Sequence, residues 1–283
     1  MTQQTPPTPP PDAPSPAEDP LERASVDYST ADYFPSPVIR WGLPQFAIGL
    51  LAFVVMVVAV NVVSLFVPLE AQGFLLFAAV ILGYGALFAT VLVASRRHGT
   101  GSLARDFGLR IAPVDLAIGL GVGVAAKIAG VVVAVPLVSM TGGAPTSNVP
   151  VENDVVWIVL NTVVATTLVA PVVEELFFRG LLLRAIRNGV LRGRASRPRT
   201  TRPSAARIRA ALVGSIVASS VLFMAIHLYQ APDVTTLLVL GSSTLLLGLA
   251  NAVLATRTGR LGPGIVAHAV FNGVALLGLL AVS

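Results

Sequence analysis

Residues 155–184 read VVWIVLNTVVATTLVAPVVEELFFRGLLLR, an apolar run that contains two adjacent acids, Glu174 and Glu175, and one interior base, Arg179. At a helical rise of about 1.5 Å per residue, this run is longer than the ~30 Å hydrocarbon core of a bilayer. An ionisable side chain near the bilayer centre costs ~2.5–3.5 kcal/mol, so such residues persist where a function requires them. The stretch therefore predicts a membrane-spanning helix with a functional site inside the membrane.

The composition of the whole chain agrees with a lipid environment. Of its 283 residues, 54% are hydrophobic and 12% are charged, and the mean hydropathy is +0.80. A soluble globular domain has about 25% charged residues. The absence of cysteine excludes disulfides, thiolate nucleophiles and cysteine metal ligands. The sequence pI of about 10.4 comes from arginines clustered between apolar runs, so no nucleic-acid partner is expected.

Seven apolar runs are long enough, or nearly so, to cross the bilayer. Open strand edges would leave backbone groups unpaired in lipid, so we predict helices even where the runs are rich in β-branched residues. The predicted fold class is an all-α polytopic transmembrane helical bundle, with the lipid bilayer as its surroundings and no indication of its oligomeric state. The predicted spans are 42–66, 73–94, 114–140, 155–184, 210–228, 234–256 and 261–282.

The first forty residues differ from the rest of the chain. Residues 1–40 hold ten prolines, several acids and only two bases, Arg23 and Arg40. A segment of this composition buries too little apolar surface to offset the entropy lost on ordering. We expect a disordered cytoplasmic Pro-rich tail over 1–40 and a transmembrane domain over 41–283.

Arginines alternate between the connections that join the predicted spans. The connections without lysine or arginine are 67–72, 141–154 and 229–233. The connections that carry arginines are 95–113, 185–209 and 257–260. Basic residues on every second connection follow the positive-inside rule. The pattern predicts a multi-pass protein of the cell (plasma) membrane, with a cytoplasmic N-terminus and an extracytoplasmic C-terminus.

Spacing predicts different roles for the two glutamates. Glu175 and Arg179 are four residues apart with the acid first, which is the favourable orientation for an ion pair on a helix. Glu174 is five residues from Arg179 and lies off that face. We therefore predict that Arg179 neutralises Glu175, while Glu174 remains available as a general base.

Two histidines and an asparagine interrupt the later apolar runs. His227 ends the fifth predicted span, with Phe223 one turn before it, and His268 and Asn272 lie four residues apart in the seventh. Counted from the basic residues at the cytoplasmic ends, Glu174 lies about 15 Å deep and His268 about 12 Å deep. His227 lies eighteen residues beyond Arg209, so it reaches the same depth only if part of the basic segment 187–209 stands clear of the membrane, as its charge suggests. We therefore predict that Glu174, the two histidines and Asn272 converge in one layer of the cytoplasmic half.

Together these motifs resemble a known family. Glu-Glu-x-x-x-Arg, Phe-x-x-x-His and His-x-x-x-Asn on successive predicted helices are similar to the CAAX-protease and bacteriocin-processing (CPBP, or Abi) family of intramembrane endopeptidases. The resemblance covers about 165–275. Neighbouring residues typical of its bacterial members are Ala170-Pro171, Phe178-Arg179-Gly180 and Thr258-Gly259-Arg260-Leu261.

The resemblance implies a protease core over about 153–283 that includes a basic cytoplasmic loop, 185–209. It implies hydrolysis of a peptide bond in a membrane-embedded or lipidated protein or peptide, as in CAAX prenyl proteases. Glu174 is similar to the glutamate that activates water, and Glu175 and Arg179 are similar to its supporting pair. The two histidines and Asn272 are similar to residues that position water and stabilise the oxyanion.

The resemblance leaves the cofactor open. Glu174, His227 and His268 could hold Zn²⁺ as three protein ligands with water in the fourth position. The same residues could act without metal as a base and oxyanion donors, and this is the arrangement that we favour.

Two other classes of function are compatible with these residues. A proton-coupled transporter could use the acids and histidines as a relay, although the spans show no repeat in two halves. A non-catalytic immunity or scaffold protein could keep the same fold. Lys127, midway along the third predicted span, has no role in the resemblance; it could neutralise an acid in the bundle or line a cavity.

Overall fold

The computed structural model describes residues 41–146, 154–194, 197–198 and 203–280. The predicted disordered tail lies outside these residues. Eight helices follow one another in the described part: α1 Leu43–Ser64, α2 Gln72–His98, α3 Leu103–Phe107, α4 Pro113–Thr141, α5 Val155–Arg192, α6 Ala205–Ala225, α7 Val234–Thr258 and α8 Gly262–Leu280. The described part also contains short 3₁₀ turns at Leu69–Ala71 and Leu228–Gln230. A two-residue antiparallel ladder pairs Gly193–Arg194 with Arg197–Pro198.

The predicted transmembrane helical bundle is confirmed. Within the described residues, six helices are long and apolar enough to cross a membrane. They coincide with the first six predicted spans to within a few residues. The exceptions are that α5 ends later, and α6 begins earlier, than the predicted spans. Helix α8 coincides with the seventh predicted span, and its side chains beyond residue 274 lie outside the described ones.

The predicted basic loop is shorter than expected. Helix α5 continues to Arg192 and α6 begins at Ala205, so helical structure covers both ends of the predicted loop 185–209. The last turns of α5 are amphipathic: Leu183 and Leu191 are buried among intervening basic residues. A helix with one apolar face can continue past the membrane while that face still packs. Loop composition alone therefore does not show where the helix ends.

Helix α5 is not a uniform α-helix. Its first turn, Val155–Trp157, leads into a π-helical segment, Ile158–Val169, and a second π-helical segment runs over Leu176–Leu182. The two glutamates end the short α-helical segment between them, Ala170–Glu175. Wide π turns are uncommon and often lie at functional sites.

Helix α5 lies at the centre of the bundle. Every residue of Leu176–Leu182 is buried. The ring of Phe177 stacks on Phe46 of α1 at 4.7 Å, and the ring of Phe178 meets Phe223 of α6 edge-on at 5.4 Å. Aromatic packing on both sides of α5 fixes the helix that carries the glutamates.

Polar contacts at the arginine-rich end fix the start of α8. Arg260 makes a two-pronged contact with Asp115 of α4, at 2.6 and 3.2 Å. The backbone N–H of Leu261 donates to the carbonyl of Gly108 at 2.9 Å. Gly108 has a φ of +74°, and a Cβ there would lie 2.5 Å from the carbonyl oxygen of Gly259, so only glycine fits. These contacts set the position from which α8 enters the bundle.

Candidate active site

Glu175 contacts three polar side chains through one carboxylate oxygen. Its Oε1 lies 3.2 Å from Nη1 of Arg179, which confirms the ion pair predicted from spacing. The same oxygen accepts a hydrogen bond from Nδ2 of Asn251 in α7 at 2.9 Å and lies 3.2 Å from Nδ1 of His268 in α8. Glu175 is 1% exposed. It therefore joins three helices around a neutralised carboxylate.

Arg179 has no exposed surface and is enclosed by α6 and α7. Its Nη2 donates to the carbonyl of Gly248 at 3.1 Å. Its guanidinium carbon lies 4.2 Å from the ring centre of Phe223, a cation–π contact. These contacts hold the guanidinium in place beside Glu175.

Glu174 faces a different set of groups. Its Oε1 accepts a hydrogen bond from the hydroxyl of Tyr84 in α2 at 2.6 Å. Its Oε2 lies 3.7 Å from Nε2 of His268 and 3.9 Å from Nε2 of His227. The predicted convergence of this glutamate and the two histidines is therefore observed. His227 lies just past the last residue of α6, at the head of a 3₁₀ turn, rather than inside the helix.

The Nδ1 contacts of the two imidazoles determine which ring nitrogen carries the hydrogen. Nδ1 of His227 lies 2.7 Å from the carbonyl oxygen of Phe223, and since a carbonyl only accepts, Nδ1 carries the hydrogen. Nδ1 of His268 meets the carboxylate of Glu175 and carries a hydrogen for the same reason. In neutral rings both Nε2 atoms are then acceptors.

Three acceptors are therefore brought together at the site. They are Oε2 of Glu174, which is buried and accepts no hydrogen bond within the described structure, and the two Nε2 atoms. A group that satisfies all three must donate hydrogens or carry positive charge. A water molecule, a proton on an imidazole or a metal ion each meets this requirement.

Zinc fits these residues by type but not by spacing. One carboxylate and two imidazoles are common catalytic zinc ligands, and the contact of Glu175 with His268 resembles the carboxylate that orients a zinc-bound histidine. Ligands about 2.1 Å from a tetrahedral zinc lie about 3.4 Å apart, closer than the 3.7 and 3.9 Å observed here. Across the described residues, no group of three or more His, Asp or Glu side chains is arranged to hold a metal ion.

Asn272 lies beside the cluster and contacts α5 differently from the prediction. Its Nδ2 donates to the backbone carbonyl of Thr166 at 2.9 Å. At this end of the π segment the N–H of Ala170 bonds to Ala165, five residues back. The same pattern would pair Thr166 with residue 171, which is a proline and has no N–H. Asn272 thus satisfies a carbonyl that Pro171 leaves without a backbone donor, eight residues before Glu174.

Sequence reasoning missed two residues of the site. Asn251 has no exposed surface and donates to Glu175 and to the carbonyl of Gly264. Its signal was present, because an asparagine in an apolar span is unusual and often bonds to another helix. Tyr84 gave no such signal, since a tyrosine in a span is ordinary and its partner is 90 residues away.

Fold and site together define a polytopic helical membrane protein with a carboxylate–histidine cluster enclosed by its helices. Residues 156–274 match the family described as type II CAAX prenyl endopeptidase, Rce1-like. This match confirms the predicted CPBP family for the segment that carries the motifs, about two-fifths of the chain. No curated protein and no solved structure matches the chain. All six candidate residues lie inside the matched segment, whereas Tyr84 lies outside it.

Proposed function

We propose that this protein is an intramembrane endopeptidase that hydrolyses a peptide bond of a membrane-embedded or lipidated protein or peptide. The Rce1-like match supports a CAAX-type intramembrane protease. The observation that carries the proposal is the environment of Glu174. One of its oxygens is held by Tyr84 while the other faces Nε2 of two histidines, and the neighbouring carboxylate is neutralised separately.

Glu174 acts as the general base in this proposal. Its Oε2 takes a proton from a water molecule as the water oxygen attacks the peptide carbonyl carbon. The protonated Glu174 then gives that proton to the amine nitrogen as the carbon–nitrogen bond breaks. Neutral His227 accepts the second hydrogen of the water through Nε2 and so orients the attack.

The oxyanion contact is assigned to His268 in this proposal. In the proposed scheme His268 acts in its doubly protonated form, with Nε2 on the same side as Oε2 of Glu174. His268 lies against the Glu175 carboxylate, which orients the ring and balances its charge, as the aspartate of a Ser-His-Asp triad does. Its Nε2–H is then a donor for the negative oxygen that forms during attack.

Tyr84 and Asn272 position the base in this scheme. The Tyr84 hydroxyl fixes the orientation of the Glu174 carboxylate. Asn272 secures the turn of α5 that precedes it. Neither side chain needs to touch the substrate for these roles.

Cleavage in proteoliposomes tests the function. Substrates are a peptide with a prenylated cysteine three residues from its C-terminus, the same peptide without the lipid, and an apolar membrane-spanning peptide. We expect the wild type to cleave at least one of them. Glu174→Gln, an isosteric change, should lower the rate by at least ~10²–10⁴, the usual contribution of a positioned base, without lowering the melting temperature. Normal cleavage by Glu174→Gln overturns the assignment, and no cleavage by the wild type favours a non-catalytic immunity or scaffold role.

We also propose that the protein spans the cell membrane with its N-terminus inside and C-terminus outside. The alternation of arginines supports this orientation. A reporter fused after Ser283 should be extracytoplasmic, and one inserted within 193–205 should be cytoplasmic. A cytoplasmic C-terminus would mean that the chain has an even number of spans.

A further inference from the structure

Lys127 is a cation in the middle of a membrane-spanning helix. It lies halfway between Pro113 and Thr141, the ends of α4, which is about 20 Å from either end at helical rise. Its Nζ is 4.6 Å from the ring centre of Phe271 in α8. No acidic side chain of the described part of the chain forms an ion pair with it. The catalytic scheme above makes no use of Lys127.

A cavity of about 90 Å³ lies beside this ammonium group. Its walls include Gly130 and Ala134 of α4 and Val239 and Ser243 of α7. Gly130 lets α4 and α7 approach closely at this wall, since a Cβ there would lie 3.3 Å from Cβ of Ser243. Val131, which is 56% exposed, forms part of the rim, so the cavity opens on the lipid-facing side between α4 and α7. Lys127 thus lines a cavity.

We propose that Lys127 and this cavity form a binding site for the carboxylate of a fatty acid that enters from the bilayer. An unpaired charge in hydrocarbon is costly, and a carboxylate beside Lys127 would give a neutral pair. The ring of Phe271 contacts the ammonium and also lines the cavity, so Lys127 is the one charged group in an otherwise apolar and small-residue lining.

Size and depth favour a carboxylate over other membrane anions. A water molecule needs roughly 10–15 Å³ of cavity volume measured in this way, so a cavity of about 90 Å³ holds a group of a few heavy atoms. A phospholipid phosphate carries glycerol on one side and a head group on the other, and it lies at the interface, roughly 15 Å from the bilayer centre. A fatty acid carries its carboxylate at the end of a chain, which can lie against the exposed apolar side chains of α4, such as Val131.

Three ligands test the site on the full-length protein in detergent. They are oleate, methyl oleate, which lacks the charge, and oleyl alcohol, which keeps a polar head without the charge. Binding is measured by native mass spectrometry and by the shift in melting temperature. Of the three ligands, we expect only oleate to bind the wild type measurably. Lys127→Met should weaken oleate binding at least tenfold, whereas Lys127→Arg should retain it.

A second variant distinguishes loss of the binding site from misfolding of Lys127→Met. Ala134→Leu keeps the charge and fills the cavity, and it should also weaken oleate binding. The proposal is overturned if the wild type does not bind oleate, if methyl oleate binds equally well, or if Lys127→Met and Ala134→Leu both bind oleate as the wild type does. None of these outcomes depends on whether the protein cleaves peptides.

Discussion

Glu174 and Glu175 are adjacent in sequence, yet their carboxylates lie in two different regions. On the closed side, Glu175 meets a permanent cation, Arg179, and an amide donor, Asn251. On the reactive side, Glu174 meets a hydroxyl, Tyr84, and the acceptor nitrogen of His227. His268 belongs to both, because one ring nitrogen faces each carboxylate.

The comparison separates two uses of one residue type inside a membrane. A carboxylate with a fixed counter-charge on its own helix serves to hold helices together. A carboxylate whose partners can each give or take a hydrogen is suited to proton transfer. His268 makes the two interdependent, since a change in Glu175 alters the ring that faces Glu174.

Removing the charge on the closed side should have the largest effect on stability. Glu175→Gln leaves Arg179 buried without its counter-charge, and breaking a buried pair costs about 3–5 kcal/mol. Expression and melting temperature should fall together with activity. Glu174→Gln is the matched control and should keep the wild-type melting temperature. If Glu175→Gln is stable but inactive and Glu174→Gln cleaves normally, the roles of the two glutamates are reversed.

Removing one hydroxyl on the reactive side should have a smaller effect. Tyr84→Phe deletes a hydrogen bond to a carboxylate, worth about 1.5–3 kcal/mol, so kcat should fall roughly 10–150-fold with little change in KM. Ser139→Ala removes an exposed hydroxyl that bonds to the carbonyl of Val135 in its own helix, and it serves as the control. Equal kinetics for the two variants would show that Tyr84 does not position the base.

Residue spacing and depth in the membrane predicted two kinds of contact at the site. One lies within a single helix, and the other joins residues at a similar depth on different helices. The ion pair of Glu175 with Arg179 followed from a four-residue spacing, and the approach of His268 to Glu174 followed from their similar depths. The approach of His227 followed only once the basic segment before it was placed outside the membrane. Contacts of Tyr84 and Asn251 depend on how distant helices pack, which no local pattern encodes.

The partner of Asn272 could not be predicted because an α-helical period was assumed throughout. In an α-helix the carbonyl freed by Pro171 would be that of Thr167, four residues back. Helix α5 is π-helical before Pro171, so the freed carbonyl is that of Thr166. The π-helical period therefore moved the carbonyl that requires a donor from Thr167 to Thr166.

A double-mutant cycle tests this account of Asn272. Asn272→Ala should leave the Thr166 carbonyl without a donor, at a cost of about 1–3 kcal/mol in unfolding free energy. Pro171→Ala supplies a backbone N–H, so Asn272→Ala should cost less in that background. Thermal or denaturant unfolding of the four proteins measures the coupling. Additive effects would mean that Asn272 acts elsewhere, including directly on the oxyanion.

Metal removal should have the smallest effect. Since Oε2 of Glu174 lies farther from both Nε2 atoms than zinc ligands lie from each other, purified protein should carry substoichiometric zinc, and chelators should inhibit weakly. Elemental analysis and cleavage after chelation measure both. About one zinc per chain, lost in His227→Ala and in His268→Ala, would overturn the metal-free mechanism.

The position of Arg179 on the same helix as Glu175 also bears on how the chain enters the membrane. Each charge alone adds ~2.5–3.5 kcal/mol to the insertion of a helix. Because their side chains are one turn apart, the two can pair before any other helix is present and enter as a neutral unit. Tyr84 precedes Glu174 in synthesis, whereas both histidines follow it. The order of synthesis thus gives each acid a partner at insertion and adds the histidines last.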